Sequence, residues 1–219
     1  MPDESDLRKM PADIAEVYDG LFQETGRAHV VWKYYQQLYA VDSAQIDLLN
    51  RTAPAFFYFL QDVLMDDIIL AISRITGPSQ TGRGSGAKDN LSLEQLLAKI
   101  RVTEAADFCS ELYGLLAQIR VHCAGLDDLR NRTIAHIDLR TALKTHPDPL
   151  PDISRKLIGE ALETCAAFLN RVTVHFTSIP VYYDFPMHGD AGDLIFFLRQ
   201  AEEYEAKNEA AMRQALGGA

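Results

Sequence analysis

Apolar residues recur at intervals of three and four along most of the chain, the period of helices that each bury one face. Within residues 12–25, Ile14, Val17, Leu21 and Phe22 mark the first such stripe. "RAHVVWKYYQQLYA" has the aromatic and branched content of a strand, but it continues into "DSAQIDLLN", which predicts another helix after a short turn. "PAFFYFLQDVLMDDIILAISRIT" opens on Pro54, well tolerated in a first helical turn, and aligns Leu60, Leu64, Ile68, Ala71 or Ile72, and Ile75 along one side. A long core helix is expected there.

"GPSQTGRGSGAKDN" interrupts the pattern, and its glycines and serines around Pro78 predict an irregular, mobile loop acting as a lid or insert. Helical periodicity returns in "LSLEQLLAKI", "TEAADFCSELYGLLAQIRVHCAGL", "DDLRNRTIAHIDLRTALK" and "DISRKLIGEALETCAAFLNRVTVHF". Ser92 with Gln95 forms a capping-box pattern, and Thr103 is placed to cap the helix after it. A second loop, "IPVYYDFPMHGDAG", precedes a charged amphipathic helix, "DLIFFLRQAEEYEAKNEAAMRQAL". The expected fold is all-α, a helical bundle of four to five core helices with additional N- and C-terminal helices packed outside. Residues 1–53 are expected to be an N-terminal helical extension on the core, and 54–219 the bundle with its C-terminal helix as a single globular unit.

Composition narrows the function. The chain has 219 residues, 47% hydrophobic and 24% charged, as in an ordinary globular protein. Its formal net charge of −10 repels nucleic acid and anionic membranes, so binding to RNA requires a local basic patch. Cys109, Cys123 and Cys165 stand singly in apolar stretches, without the paired spacing of zinc or redox sites, and are expected to be buried thiols. The acidic start "MPDESDLRKMPADIAEV" has no apolar leader core, and "APAFFYFL" is too short to span a bilayer. A cytoplasmic location and no membrane partner are the resulting expectations.

Few motifs carry chemistry. "GRGSGAK" lacks the order of a phosphate-binding loop and follows no strand. No histidine has a glutamate three residues before it, which disfavours a di-metal carboxylate bundle, and Asp62 with Asp66 supplies only two carboxylates. His29, His122, His146, His175 and His188 stand alone and read as structural or surface residues. No cofactor or metal is expected. "LRNRTIAHIDLR" differs, because from Arg120 to Lys144 the basic residues Arg120, Arg130, Arg132, Arg140 and Lys144 outnumber Asp127, Asp128 and Asp138. Arginine and histidine suit an RNA phosphodiester: one is a permanent planar donor to phosphoryl oxygens, the other moves protons near neutral pH. On a regular helix Arg132 and His136 share a face, while Arg130 joins them only in an irregular turn, which Asp127 or Asp128 as a cap would allow. The competing reading is a helix whose Leu129, Ile134 and Ile137 face the core and whose polar residues are simply solvated.

"RNRTIAH" resembles the R-x(4–6)-H motif of the HEPN superfamily, with Arg130 as the motif arginine, Asn131 as the following polar residue and His136 as the motif histidine. The order "DDIILAISRIT", glycine-rich gap, "NLSLEQLLAKI", "LRNRTIAHID" is similar to the branch of U-type abortive-infection proteins, over about residues 54–176, with "GDLIFFLRQA" as a further candidate part. The resemblance implies a domain that dimerises so that two motifs face one cleft. It also implies a metal-independent endoribonuclease of phage defence or toxin type, restrained by an antitoxin or other regulatory protein. Arg130, Asn131 and His136 would be catalytic, with Arg132, Arg140 and Lys144 as RNA-binding residues around them. Some members of the superfamily have lost catalysis, so the alternative is a non-catalytic RNA-binding or dimerisation module.

Overall fold

The structure, a computed structural model, describes residues 10–82, 84–135, 137–183 and 187–217. The first helix, α1, runs unbroken over Ala12–Tyr39. The turn expected near residue 26 does not form, for a reason visible in the spacing: Ile14, Tyr18, Leu21, Thr25, Ala28, Trp32 and Tyr35 alternate steps of four and three and are all buried. That continuous stripe outweighs the roughly 1 kcal/mol that Gly26 costs inside a helix. Asp42 then caps α2, Ser43–Thr52, its side chain accepting from the Gln45 amide at 2.8 Å. Helix α3 spans Pro54–Thr76, as its pattern predicts.

The glycine-rich segment is a small hairpin where an irregular loop was expected. Strands β1, Gln80–Thr81, and β2, Lys88–Asp89, pair antiparallel, and the Asn90 amide donates to Ser79 O at 2.8 Å. Gly82 has φ +90° and Gly84 φ +61°, conformations open to glycine at little cost, so these residues make the turn. Helix α4, Leu93–Thr103, is capped by Ser92, which accepts from the Gln95 amide at 3.2 Å. Thr103 does not cap the next helix; it is the last residue of α4, and α5, Ala106–Leu129, begins after Ala105 without a side-chain cap. Beyond α5 come a π-helical turn at Arg130–Ile134, the short α6 at Leu139–Ala142, then α7 at Arg155–Thr177 and α8 at Ala191–Gly217.

The chain divides into two compact units, Met1–Val30 with Asp66–Asp184, and Val31–Met65 with Phe185–Ala219. In the first, α5 packs on both α7 and α4. Its interior includes Ile14, Tyr18 and Leu21 from the first half of α1. All three cysteines are buried; desolvation pushes the Cys123 thiol up to about 11 and raises that of Cys165 further, which keeps both protonated and unreactive. The second unit has its own core of Leu38, Leu48, Leu49, Phe57 and Ile195. No helix among the described residues is long and apolar enough to cross a membrane.

One polar contact lies inside the first core. Thr173 Oγ1 donates to Leu169 O at 3.0 Å, so its single hydrogen is committed and the Tyr18 hydroxyl is the donor in the buried Tyr18–Thr173 bond. Thr173→Val strands that phenol in an apolar interior and should cost about 1–3 kcal/mol, whereas Tyr18→Phe leaves Thr173 satisfied and should cost less. Denaturant unfolding of both single variants and the pair should give a double-variant loss smaller than the sum.

Candidate functional site

The motif occupies the end of α5 and the turn beyond it. The helix does not stop at a cap; neither Asp127 nor Asp128 caps anything, because both lie inside α5. The backbone instead widens by one residue, with the Ala135 amide donating to Arg130 O at 2.9 Å in a five-residue step and the Asp138 amide to Arg132 O at 3.1 Å. Thr133 Oγ1 also donates to Leu129 O at 2.8 Å, bracing the start of the turn. Single π-turns of this kind are concentrated at functional sites.

Widening the turn separates the two arginines. Arg130 remains partly exposed, with Nε and Nη2 donating to Asn131 Oδ1 at 3.1 and 2.7 Å and Nη1 3.9 Å from Asp127. Because Asn131 accepts through its oxygen, its amide nitrogen is the end left to donate elsewhere. Arg132 turns inward and is only 8% exposed. Its Nε donates to Thr141 Oγ1 at 3.1 Å, Nη1 to Asp128 at 3.2 Å and to Pro149 O at 3.0 Å, and Nη2 to Asp148 O at 2.9 Å. Four of its five N–H groups are thereby spent on the protein's own chain, which leaves little of Arg132 for RNA in this arrangement.

Those contacts show what the sequence reading missed. Asp138 caps α6 by accepting from the Thr141 amide at 2.7 Å, and this bond is the main cause holding its carboxyl below the usual range. Pro147, Pro149 and Pro151 deny the next segment a regular structure, so the carbonyls of residues 148 and 149 are free for a guanidinium. That segment runs back along α5 to Gly125, where a Cβ would meet Ile153 Cδ1 at 3.2 Å. The signals were present in "HIDLRT" and "HPDPLPD": an N-cap residue before a short apolar stretch, and a proline at every second position.

Of the other expected site residues, Arg140 and Lys144 are exposed on and after α6. The predicted catalytic residue His136 lies outside the described residues. Histidines elsewhere have local roles: His175 is 2.8 Å from Glu104 and stacked at 3.8 Å on Phe108, and His146 Nδ1 accepts from the Asp148 amide at 3.1 Å. One turn before the motif, Thr76, Pro78, Glu94, Arg120, Cys123 and Asp127 line a cavity of about 330 Å³. Around the turn, Val121, Ile137, Leu139 and Leu143 expose large apolar side chains, Ile137 to 80%.

No curated protein and no solved structure matches the chain. The family model for AbiU2 does match, over residues 11–194, a wider span than the 54–176 of the motif resemblance. A match over most of the chain, with the arginine of the motif on an irregular turn at the end of a core helix, shows that the protein belongs to the AbiU2 family of HEPN-related abortive-infection proteins.

Proposed function

We propose that the protein is a metal-independent endoribonuclease of HEPN type, acting in phage defence or as a toxin, with Arg130, Asn131 and His136 as its catalytic residues. The observation that carries this reading is the division of labour between two arginines two residues apart. Arg132 is consumed by the scaffold, while Arg130 sits at the surface of the turn, oriented by Asn131 and lightly paired with Asp127. A guanidinium held this way can accept a phosphoryl group at small ordering cost.

In the proposed reaction His136 removes the ribose 2′-hydroxyl proton, or delivers a proton to the departing 5′-oxygen, and Arg130 stabilises the charge that gathers on the phosphoryl oxygens. The 2′-oxygen attacks phosphorus and the P–O5′ bond breaks, leaving a 2′,3′-cyclic phosphate and a 5′-hydroxyl. The Asn131 amide nitrogen donates to a non-bridging oxygen. Arg140 and Lys144, exposed beyond the turn, supply the basic track that a chain of net charge −10 needs to approach RNA. One histidine cannot be acid and base at the same phosphate in one step, so the reading includes a homodimer with two motifs at one cleft. The exposed apolar side chains Ile137, Leu139 and Leu143 beside the motif support a partner there. An antitoxin or other regulatory protein would restrain the activity.

Three outcomes test this. With purified protein and a labelled RNA, His136→Ala and Arg130→Ala should each lower the cleavage rate at least about a hundredfold with unchanged circular dichroism, and cleavage should survive EDTA. Absence of cleavage by the unaltered protein under all conditions, with RNA still bound, would leave the non-catalytic binding module as the function. Arg132→Ala should instead lower stability by about 1–3 kcal/mol by removing the guanidinium that ties Asp128, Thr141 and the carbonyls of residues 148 and 149 together, and Arg132→Lys should recover little because an ammonium cannot reach three segments at once. Leu139→Glu should convert the particle to a smaller species in light scattering and reduce cleavage with it, while thermal unfolding, governed by a residue 70% exposed, stays close to unaltered.

A further inference from the structure

Helix α8 continues past the last residue of the family match, and its second half packs no buried side chain among the described residues. Residues 199–216 are all exposed, although Ile195 and Leu198 earlier in the helix pack into the second unit's core and Arg51 pairs with Glu202 at 2.6 Å. A helix of this length without a packed face is marginal in water by itself. Its exposed surface nevertheless has a pattern. Leu194, Phe197, Ala201, Tyr204, Asn208, Ala211 and Ala215 alternate steps of three and four along one side, turned away from Ile195, and Phe197 and Tyr204 are 66% and 67% exposed.

We propose that this stripe is the seam of a parallel, in-register two-stranded coiled coil formed with the α8 helix of a second copy of the chain. Heptad spacing sets Leu194, Ala201, Asn208 and Ala215 at the first core position, and Phe197, Tyr204 and Ala211 at the second. The lone polar core residue decides the partner. Asn208 lies between Tyr204 and Ala211, and burying its amide is tolerable only opposite a group that can both donate and accept; in register, that group is the second copy's own Asn208. An antiparallel pairing sets it against alanine or an aromatic ring.

Charge agrees with the same arrangement. Glu202, Glu203, Glu209 and Arg213 fall on the outer positions, where Lys207–Glu203 at 3.9 Å and Arg213–Glu209 at 3.0 Å pair within one helix. The flanking positions bring Gln200 against Glu205 and Lys207 against Met212, with no like charges opposed. With aromatic side chains of about 150–250 Å² each, the stripe exposes on the order of 500 Å² of largely apolar surface. The side-chain stems that flank a coiled-coil seam carry the covered area toward the roughly 800 Å² per partner of a stable interface. This pairing is separate from the motif-side surface and does not rest on the ribonuclease reading.

Site-specific cross-linking of the full chain tests it, since the native Cys109, Cys123 and Cys165 are buried. Under mild oxidation Ala211→Cys should give a covalent dimer, and Arg213→Cys, on the outer side, should not. Because the proposed motif-side contact could hold two copies together by itself, mass is compared in a Leu139→Glu background, where adding Tyr204→Glu, at an exposed position that leaves folding intact, should halve the particle mass in light scattering at micromolar concentration. The proposal is overturned if Ala211→Cys stays single-chain, if Arg213→Cys cross-links as readily, or if adding Tyr204→Glu leaves the mass of the Leu139→Glu protein unchanged. A stripe that serves a different protein would give the first and third of these results.

Discussion

The Arg132 guanidinium is the tie on which the motif region depends. It reaches Asp128 at the end of α5, Thr141 on α6 and the carbonyls of residues 148 and 149, joining three segments. A buried guanidinium is tolerable because its N–H groups are nearly all satisfied and Asp128 is half exposed, so the pair is only partly removed from water. The π-turn follows from this geometry. Widening the helix by one residue turns position 132 inward while position 130 stays at the surface, and the four bonds made by the inner arginine offset the poorer backbone geometry.

The same tie explains how an acidic protein keeps a positive end. The local basic excess between Arg120 and Lys144 is small, and one of its members is internal. What remains at the surface is Arg120, paired with Glu94, and Arg130, held by Asn131, with Arg140 and Lys144 beyond it. Asp127, 3.9 Å away, weakens the field of Arg130 in the resting arrangement without making a hydrogen bond. In the proposed chemistry an incoming phosphate would compete with that carboxylate at modest cost, and the acidic remainder of the surface would limit unspecific retention of RNA.

Much of the helical layout was legible because periodicity reports buried faces directly: Pro54–Thr76 matches its pattern from end to end, and the Ser92 cap follows from a local rule. The misreadings share a cause, since each required weighing a local signal against distant packing. Residues 12–25 and the aromatic segment after them suggested two helices, but a stripe running from Ile14 to Tyr35 carried one helix through. Glycines at 82 and 84 suggested irregular chain and instead supplied the two positive φ angles of a hairpin. At the motif, spacing to His136 singled out Arg130 over Arg132, yet nothing local shows that Arg132 turns inward. The distinction comes from carbonyls 16 and 17 residues downstream, in a segment whose prolines left them free.

The two arginines therefore illustrate how a short motif acquires direction. "RNR" on a regular α-helix would point its arginines about 200° apart, on opposite faces, with no reason for either to be the functional one. Here the inner arginine finds a docking place made by Thr141 and the proline-spaced segment, and that choice fixes the turn and leaves the outer arginine at the surface beside Asn131. Losing the inner contacts would release both the short α6 and the turn it anchors, so a change at position 132 acts on position 130 without touching a ligand. The scaffold role of Arg132 and the proposed phosphate role of Arg130 are consequences of one packing event.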